Sequence, residues 1–267
     1  MPETNDIDET PDAPAIPDGV LLQVEDLHKS YGDFEVLRGV SFELRRGDSL
    51  AVLGRSGTGK SVTLRQLNGL EIPDQGRVTF DGIEINELSE KELVPVRRRI
   101  GMLFQGGALF DSMTVLDNVA YPLREHTSWS DDEIAERVEH KLELVRLPGI
   151  GHKMPADLSG GMRKRVALAR SLALDPELML YDEPTTGLDP VTSSAIGQLI
   201  LRTQDDLGVS SLVVTHDLPL ARTVARRIAF LHGGSFRFLG TWEEADSSPD
   251  SMVRDFLAGR AEIEDAA

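Results

Sequence analysis

The 267-residue sequence contains no cysteine. That excludes disulfides, thiol nucleophiles and thiolate-bound metals, and it fits a reducing compartment. Aromatic residues make up only 5% of the chain, too few to interleave with basic clusters as nucleic-acid-binding surfaces do. Basic residues are also scarce: 28 Lys and Arg stand against 45 Asp and Glu, for a net charge of −17. Such a balance argues against binding nucleic acid or anionic lipid through overall charge. Long apolar runs are missing too. The richest stretches, near 211–215 and 228–231, fall far short of the ~20 residues a membrane-crossing helix needs. The first residues, MPETNDIDETPDAPAIPDG, lack the basic and apolar segments of a secretory leader. The expectation is a chain soluble by itself, whose membrane role would need a partner.

What is present suits a packed core. The composition is 40% hydrophobic and 27% charged, enough for one large domain or a core with an inserted subdomain. Residues 1–19 carry six acids, four prolines and no Lys or Arg. They predict a disordered, solvated tail, with an acidic docking arm as the alternative. Beyond them, 20–24 and 36–44 predict edge-sheet strands, with turns at 31–33 and 46–48. Residues 49–53 form a buried-type strand, followed by a Gly-rich loop and a helix over 60–70. A hairpin is expected at 77–80 and 83–85, and a buried strand at 100–104.

Residues 112–147 change to helical periodicity: Val115, Leu116 and Val119, then Ile134, Val138, Leu142, Leu144 and Val145. The acids at 131–133 after Ser130 mark a helix start. Strand–helix alternation resumes with a strand at 178–181, a helix at 190–206, a strand at 211–215, a helix at 217–225 and a strand at 228–231. This alternation predicts an α/β fold with a parallel sheet covered on both faces, interrupted by a helical subdomain near 106–172. The remainder, 241–267, predicts a short amphipathic helix carrying Met252, Val253, Phe256 and Leu257, then an acidic end. That helix would pack on its own core, on a second copy or on an accessory subunit.

Two strand ends carry chemistry. Gly54, Arg55, Ser56, Gly57, Thr58, Gly59, Lys60 and Ser61 match G-x4-G-K-[ST] between a predicted strand and helix, the context that defines a P-loop. Small residues let successive N–H groups close around phosphate at a helix start. Lys60 would reach the β- and γ-phosphates, and the Ser61 hydroxyl would ligate Mg²⁺. Residues 178–183, Leu-Met-Leu-Tyr-Asp-Glu, deliver two acids at the end of a buried strand. Asp182 is expected on the Mg²⁺ side, and Glu183 as the general base toward water.

Leu158, Ser159, Gly160, Gly161 and Met162 lie between these two motifs. Here the sequence resembles the ATP-binding subunits of ABC transporters, whose signature is LSGGQ. The resemblance spans roughly 20–240 and implies a P-loop α/β core with an N-terminal antiparallel β subdomain and an inserted helical subdomain. It implies a head-to-tail homodimer that sandwiches two ATP molecules. Ser159, Gly160 and Gly161 would then complete the site of the partner chain, with Asp189 of the D-loop crossing between subunits and also capping the helix from Pro190. The resemblance further assigns adenine stacking to Tyr31, contact with Mg²⁺ or water to Gln105, and contact with the γ-phosphate to His216. Val62, just past the P-loop, joins the expected ATP-binding set.

Met162 replaces the common Gln of the signature. With Arg163, Lys164 and Arg165, with residues 102–111 (Met-Leu-Phe-Gln-Gly-Gly-Ala-Leu-Phe-Asp) and with 121–125 (Tyr-Pro-Leu-Arg-Glu), it makes the chain similar to MlaF-type ATPases. That similarity implies an MlaE-type permease, an MCE-domain protein and a small STAS-type subunit as partners, lipid as cargo, and a place on the cytoplasmic face of the inner membrane. Ala108, Leu109 and Phe110 would help form the groove for the permease's coupling helix. The alternative is that they pack within the helical subdomain. Arg163, Lys164, Arg165 and Arg170 are expected to form a solvated or interface face, and Arg97, Arg98 and Arg99 to be solvated. The ATPase of another small-solute ABC importer is the competing function. A non-transport ABC protein acting on DNA or ribosomes is disfavoured by the acidity, the single core and the lack of coiled-coil heptads.

Overall fold

Ser49–Leu53 (β3) is buried along its whole length, because it forms the middle of a six-stranded sheet whose two faces are both covered. It pairs in parallel with Ser210–Thr215 (β8) and Arg227–His232 (β9). Leu178–Asp182 (β7) joins the far side of β8, and Ile100–Leu103 (β6) follows it, again in parallel. The structure, a computed structural model, describes residues 19–260. The predicted acidic tail and the acidic C-terminal end lie outside the described residues, apart from Gly19 and residues up to Arg260.

One strand departs from the expected parallel sheet. Ser235–Thr241 (β10) pairs antiparallel with β9 at the edge, giving the order β10-β9-β3-β8-β7-β6. The turn between them is Gly233–Gly234, both with positive φ, the composition that a tight hairpin requires.

The second sheet is antiparallel throughout: Val20–Tyr31 (β1), Phe34–Arg45 (β2), Gln75–Phe80 (β4) and the short Ile83–Glu84 (β5), in the order β2-β1-β4-β5. Its inner face supplies Leu22, Val24, Leu27, Leu37, Val40 and Phe80 to a core shared with Leu50, Val52, Leu180 and Leu212 of the main sheet. Lys60–Leu67 (α1) is packed into that core through Leu64 and Leu67.

A second core fills the opposite face. Val115–His126 (α3), Asp131–Leu144 (α4) and Gly160–Ser171 (α5) bury Val119, Leu123, Val138, Leu142 and Leu168 with Pro190–Leu207 (α6) and Leu218–Val224 (α7). α4 begins where the acids after Ser130 mark a helix start, and Ser130 caps it through a reciprocal box with Glu133. A third cluster joins Phe230 to Trp242–Asp246 (α8) and Ser251–Leu257 (α9). Val253 is buried there, and Phe256 lies 4.6 Å from the Phe230 ring, so α9 packs on the core of its own chain.

Glu90–Arg97 (α2) was not anticipated, and it changes the account of the basic run beside it. Arg97 donates to the carbonyls of Asn68 at 3.0 Å and Gly69 at 2.8 Å. Arg99 meets Glu177 at 2.5 Å and also Asp81, and Arg46 bridges the same two acids. Arg46 and Arg99 thus tie the two sheets together and Arg97 ties α2 to the end of α1, whereas Arg98 is exposed as expected.

Candidate active site

The loop from Gly54 to Gly59 turns back over the end of β3. Gly57 and Gly59 take φ of 81° and 102°, open only to glycine at little cost. At Gly54 a Cβ would stand 2.6 Å from the Leu231 carbonyl. No side chain caps α1, unlike Thr114 on α3, Ser159 on α5 and Asp189 on α6. Its first N–H groups face the loop, and they carry the positive end of the helix dipole. Buried Lys60 crosses this loop, donating to the carbonyls of Gly54 at 2.9 Å and Arg55 at 3.0 Å. Arg55, Ser56 and Thr58 form the outer turn, with Thr58 bonded to the Arg55 carbonyl at 2.9 Å.

β7 ends beside the start of α1. Ser61 Oγ donates to Asp182 Oδ1 at 2.7 Å. Desolvation pushes the Asp182 carboxyl above its ordinary range, the Ser61 hydrogen bond pulls it back, and neighbouring Glu183 adds repulsion.

Glu183 follows with φ of 47°, a left-handed conformation that costs a non-glycine residue about 1–3 kcal/mol. Its N–H bonds the Val214 carbonyl at 3.0 Å, so strand β8 holds it in that conformation. The carboxylate is buried and surrounded by an ammonium, an imidazole and hydroxyls. Lys60 Nζ is 3.5 Å from Oε1, and His216 Nδ1 is 2.9 Å from Oε2. Thr186 and Thr215 donate to Oε2, each at 3.4 Å.

A cavity of about 440 Å³ opens over these groups, lined by Ser56, Gly57, Gly59, Lys60, Ser61, Val62, Gln105, Glu183 and His216. Sequence reasoning did not single out Val36 and Thr186, which complete its wall. Thr186 sits one turn past Glu183. Val36 comes from β2 on the other sheet and would meet a Cβ at Gly59 within 2.9 Å.

Gly54, Arg55, Thr58 and Asp182 stand just behind this wall, and Tyr31, Ser159, Gly160, Gly161 and Asp189 lie outside it. Tyr31 ends β1, is 46% exposed and gives its hydroxyl to Glu71. Ser159 caps α5, accepting from the Met162 N–H at 3.3 Å. Asp189 caps α6, accepting from Val191 and Thr192 at 3.0 Å each. Gly160 and Gly161 bring these two helix starts together, for a Cβ at Gly161 would stand 2.5 Å from Thr192 Cγ2.

The basic face expected on α5 is partly a buried one. Lys164 is buried and donates to the Gln105 carbonyl, and Arg170 donates to the Gly107 carbonyl at 3.1 Å and covers the Phe110 ring at 5.5 Å. Nearby, a groove of about 680 Å³ is lined by Val94, Met102, Phe104, Ala108, Phe110, Tyr121 and Leu174, among others. Ala108 and Phe110 are exposed on it, whereas Leu109 turns inward onto the helical core.

Ser61 and Asp182 offer a hydroxyl and a carboxylate, the hard oxygens that suit Mg²⁺. Among the described residues, no group of three or more His, Asp or Glu could hold a metal ion.

A family model described as ABC transporter matches residues 37–186. The intermembrane phospholipid transport system ATP-binding protein MlaF of Escherichia coli K12 is 41% identical over 242 residues, covering 91% of this chain and 90% of that protein. The probable ribonucleotide transport ATP-binding protein mkl of Mycobacterium leprae is 44% identical over 245 residues, 92% of this chain and 71% of the relative. Among solved structures, a dimeric post-hydrolysis ATP-binding cassette bound to ADP and Pi superposes with a TM-score of 0.77 at 33% identity, covering 83% of this chain and 98% of that one. CbiO1 of Clostridium perfringens, part of an ABC transporter complex, gives 0.79 at 30% identity, covering 90% and 96%.

Proposed function

The chain belongs to the ABC transporter family as an ATP-hydrolysing subunit, and from that premise we propose that it drives lipid transport, with phospholipid the favoured cargo. Support for the cargo is the match to MlaF along about nine-tenths of both chains. Among the described residues no helix is long and apolar enough to cross a membrane. The proposed partners are therefore an MlaE-like permease seated in the groove beside Phe104, Ala108 and Phe110, an MCE-domain protein and a STAS-type subunit. The chain would work at the cytoplasmic face of the inner membrane.

In the proposed chemistry, Glu183 accepts the proton of the attacking water. The single observation that carries this role is its placement: a buried carboxylate in a left-handed conformation between Lys60 and His216. Lys60 and the N–H groups from Gly57 to Ser61 neutralise phosphate charge, the main requirement of phosphoryl transfer. His216 orients Glu183 and faces the γ-phosphate, and Gln105 closes the same cavity. Tyr31 stacks on adenine at the outer edge. Ser61 and Asp182 would hold Mg²⁺, which would supply positive charge to neutralise the charge developing on the transferred phosphate. Ser159, Gly160, Gly161 and Asp189 act on the partner chain's nucleotide in a head-to-tail dimer. ATP favours the closed dimer and its products release it, and this differential affinity is what can do work on a permease.

A second cargo, a ribonucleotide, is favoured by the name of the mycobacterial relative. The test is to purify the chain with its native membrane partners and reconstitute the complex in vesicles. ATP hydrolysis stimulated by phospholipid, together with an MCE-domain protein in the complex, supports the lipid proposal. Stimulation by ribonucleotide alone, with no MCE-domain protein, overturns it.

A further inference from the structure

Lys164 lies five residues beyond the cap of α5 and is 6% exposed. Its ammonium donates to the main-chain carbonyl of Gln105; burial lowers its pKa, an effect that the Asp182 and Glu183 carboxylates offset only in part. Burying an ammonium is costly unless charge and hydrogen bonds compensate. A Met or Leu at this position would pack at lower cost, so the cation is an expensive way to fill the space.

The same helix makes two more such contacts to β6 and the loop that follows it. Ser171, two turns further on the same face, donates to the Met102 carbonyl at 2.8 Å. Arg170 donates to the Gly107 carbonyl at 3.1 Å. Gly107 has φ of 77°, and a Cβ there would lie 3.5 Å from Ala167 Cβ, so the loop lies directly against α5. Among these three carbonyls, only the one gripped by Lys164 belongs to a residue lining the cavity that holds Glu183.

We propose that Lys164 is a positioning residue for ATP hydrolysis: it clamps the Gln105 main chain at the cavity and sets its charge against the Asp182–Glu183 pair. The proposal rests on the assignment of Glu183 as base and Gln105 as a cavity residue. Ser159, at the start of the same helix, acts on the partner's nucleotide. Lys164 acts on the chain's own, so one rigid helix connects the two sites of the dimer. A displacement of α5 is thereby passed to Gln105 without rearranging the P-loop.

The experiment compares Lys164→Met, Lys164→Gln and Lys164→Arg in the full chain. It measures kcat and KM for ATP, equilibrium binding of a fluorescent ATP analogue, and thermal melting. Lys164→Met is expected to lower kcat about tenfold or more while KM and analogue affinity stay within about two-fold. Lys164→Arg, which restores a cation with donors, recovers most of the loss, and Lys164→Gln, a donor without charge, falls between. A folded Lys164→Met chain with wild-type kcat overturns the proposal, as does Lys164→Arg no faster than Lys164→Met. If Lys164→Met does not fold, Gln slower than Arg supports the proposal and equal rates overturn it. Glu183→Gln is run in parallel. Turnover in that variant removes the base assignment, whereas an inactive Glu183→Gln beside a fully active Lys164→Met removes the clamp alone.

Discussion

His216 Nδ1 stands 2.9 Å from Glu183 Oε2, joining the residue after β8 to the residue after β7. The contact forms because Glu183 takes a left-handed backbone conformation, which turns its carboxylate toward the end of β8 rather than along its own strand. Lys60 approaches the other oxygen at 3.5 Å. A carboxylate held on both sides in this way has little freedom to leave the cavity.

Glu183→Gln keeps the shape and loses the base. Turnover is expected to fall by about 10²–10⁴, with ATP still bound and the dimer trapped. Steady-state hydrolysis and size-exclusion chromatography with ATP read both effects, and turnover near wild type removes Glu183 from the role.

Ser159→Arg places a bulky cation at the start of α5. Hydrolysis should drop to background while ATP affinity of the monomer stays within about two-fold, because Ser159 lies outside the chain's own cavity. Loss of monomer binding, measured by equilibrium titration, contradicts action on the partner's nucleotide.

Gly161→Ala puts a methyl group 2.5 Å from Thr192 Cγ2. Overpacking of this kind costs about 1–3 kcal/mol, seen as a lower melting temperature. Thr192→Ser removes that methyl but keeps the hydroxyl that bonds Asp189 at 2.5 Å. The double variant should recover stability beyond additivity, and simple additivity would show that the contact is not the cause.

Asp182→Asn tests the buried carboxyl. Because burial raises its pKa, the native chain still binds its proton at a pH where the unfolded chain has released it. The cost of the charged form is therefore present at neutral pH and fades as pH falls through the native pKa. The variant, measured without nucleotide, should melt higher than wild type at neutral pH, with a gain that shrinks on acidification. Its Mg²⁺-dependent hydrolysis should be lost. A lower melting temperature at neutral pH would mean that the Ser61 hydrogen bond outweighs desolvation.

The groups closest to phosphate chemistry were legible because they stand in short contiguous motifs at strand ends. Lys60 and Ser61 follow one buried strand, and Asp182 and Glu183 end another, so local spacing and apolar runs place them. Thr186 and Val36 had no such marker. Val36 reaches the wall only because the second sheet folds over the P-loop, which is a tertiary relation. Lys164 sits between Arg163 and Arg165, and nothing local says that only the middle one is buried. For α2, the Ser89–Glu92 capping box was available, but Pro95 inside the helix obscured it. For β10, the Gly233–Gly234 pair between the apolar run 228–231 and the alternating Phe236, Phe238 was the signal overlooked.

The close approach of Gly161 to Thr192 has a consequence for assembly. The starts of α5 and α6 are pressed together with no space for even a methyl group between them. On the proposed head-to-tail arrangement, each chain therefore offers its neighbour a two-pronged plug rather than two independent fingers. One prong cannot seat without the other, so a half-engaged site is not a resting place. Docking on that arrangement becomes a single event, and the geometry that makes it so is set by a glycine that lies outside its own chain's cavity.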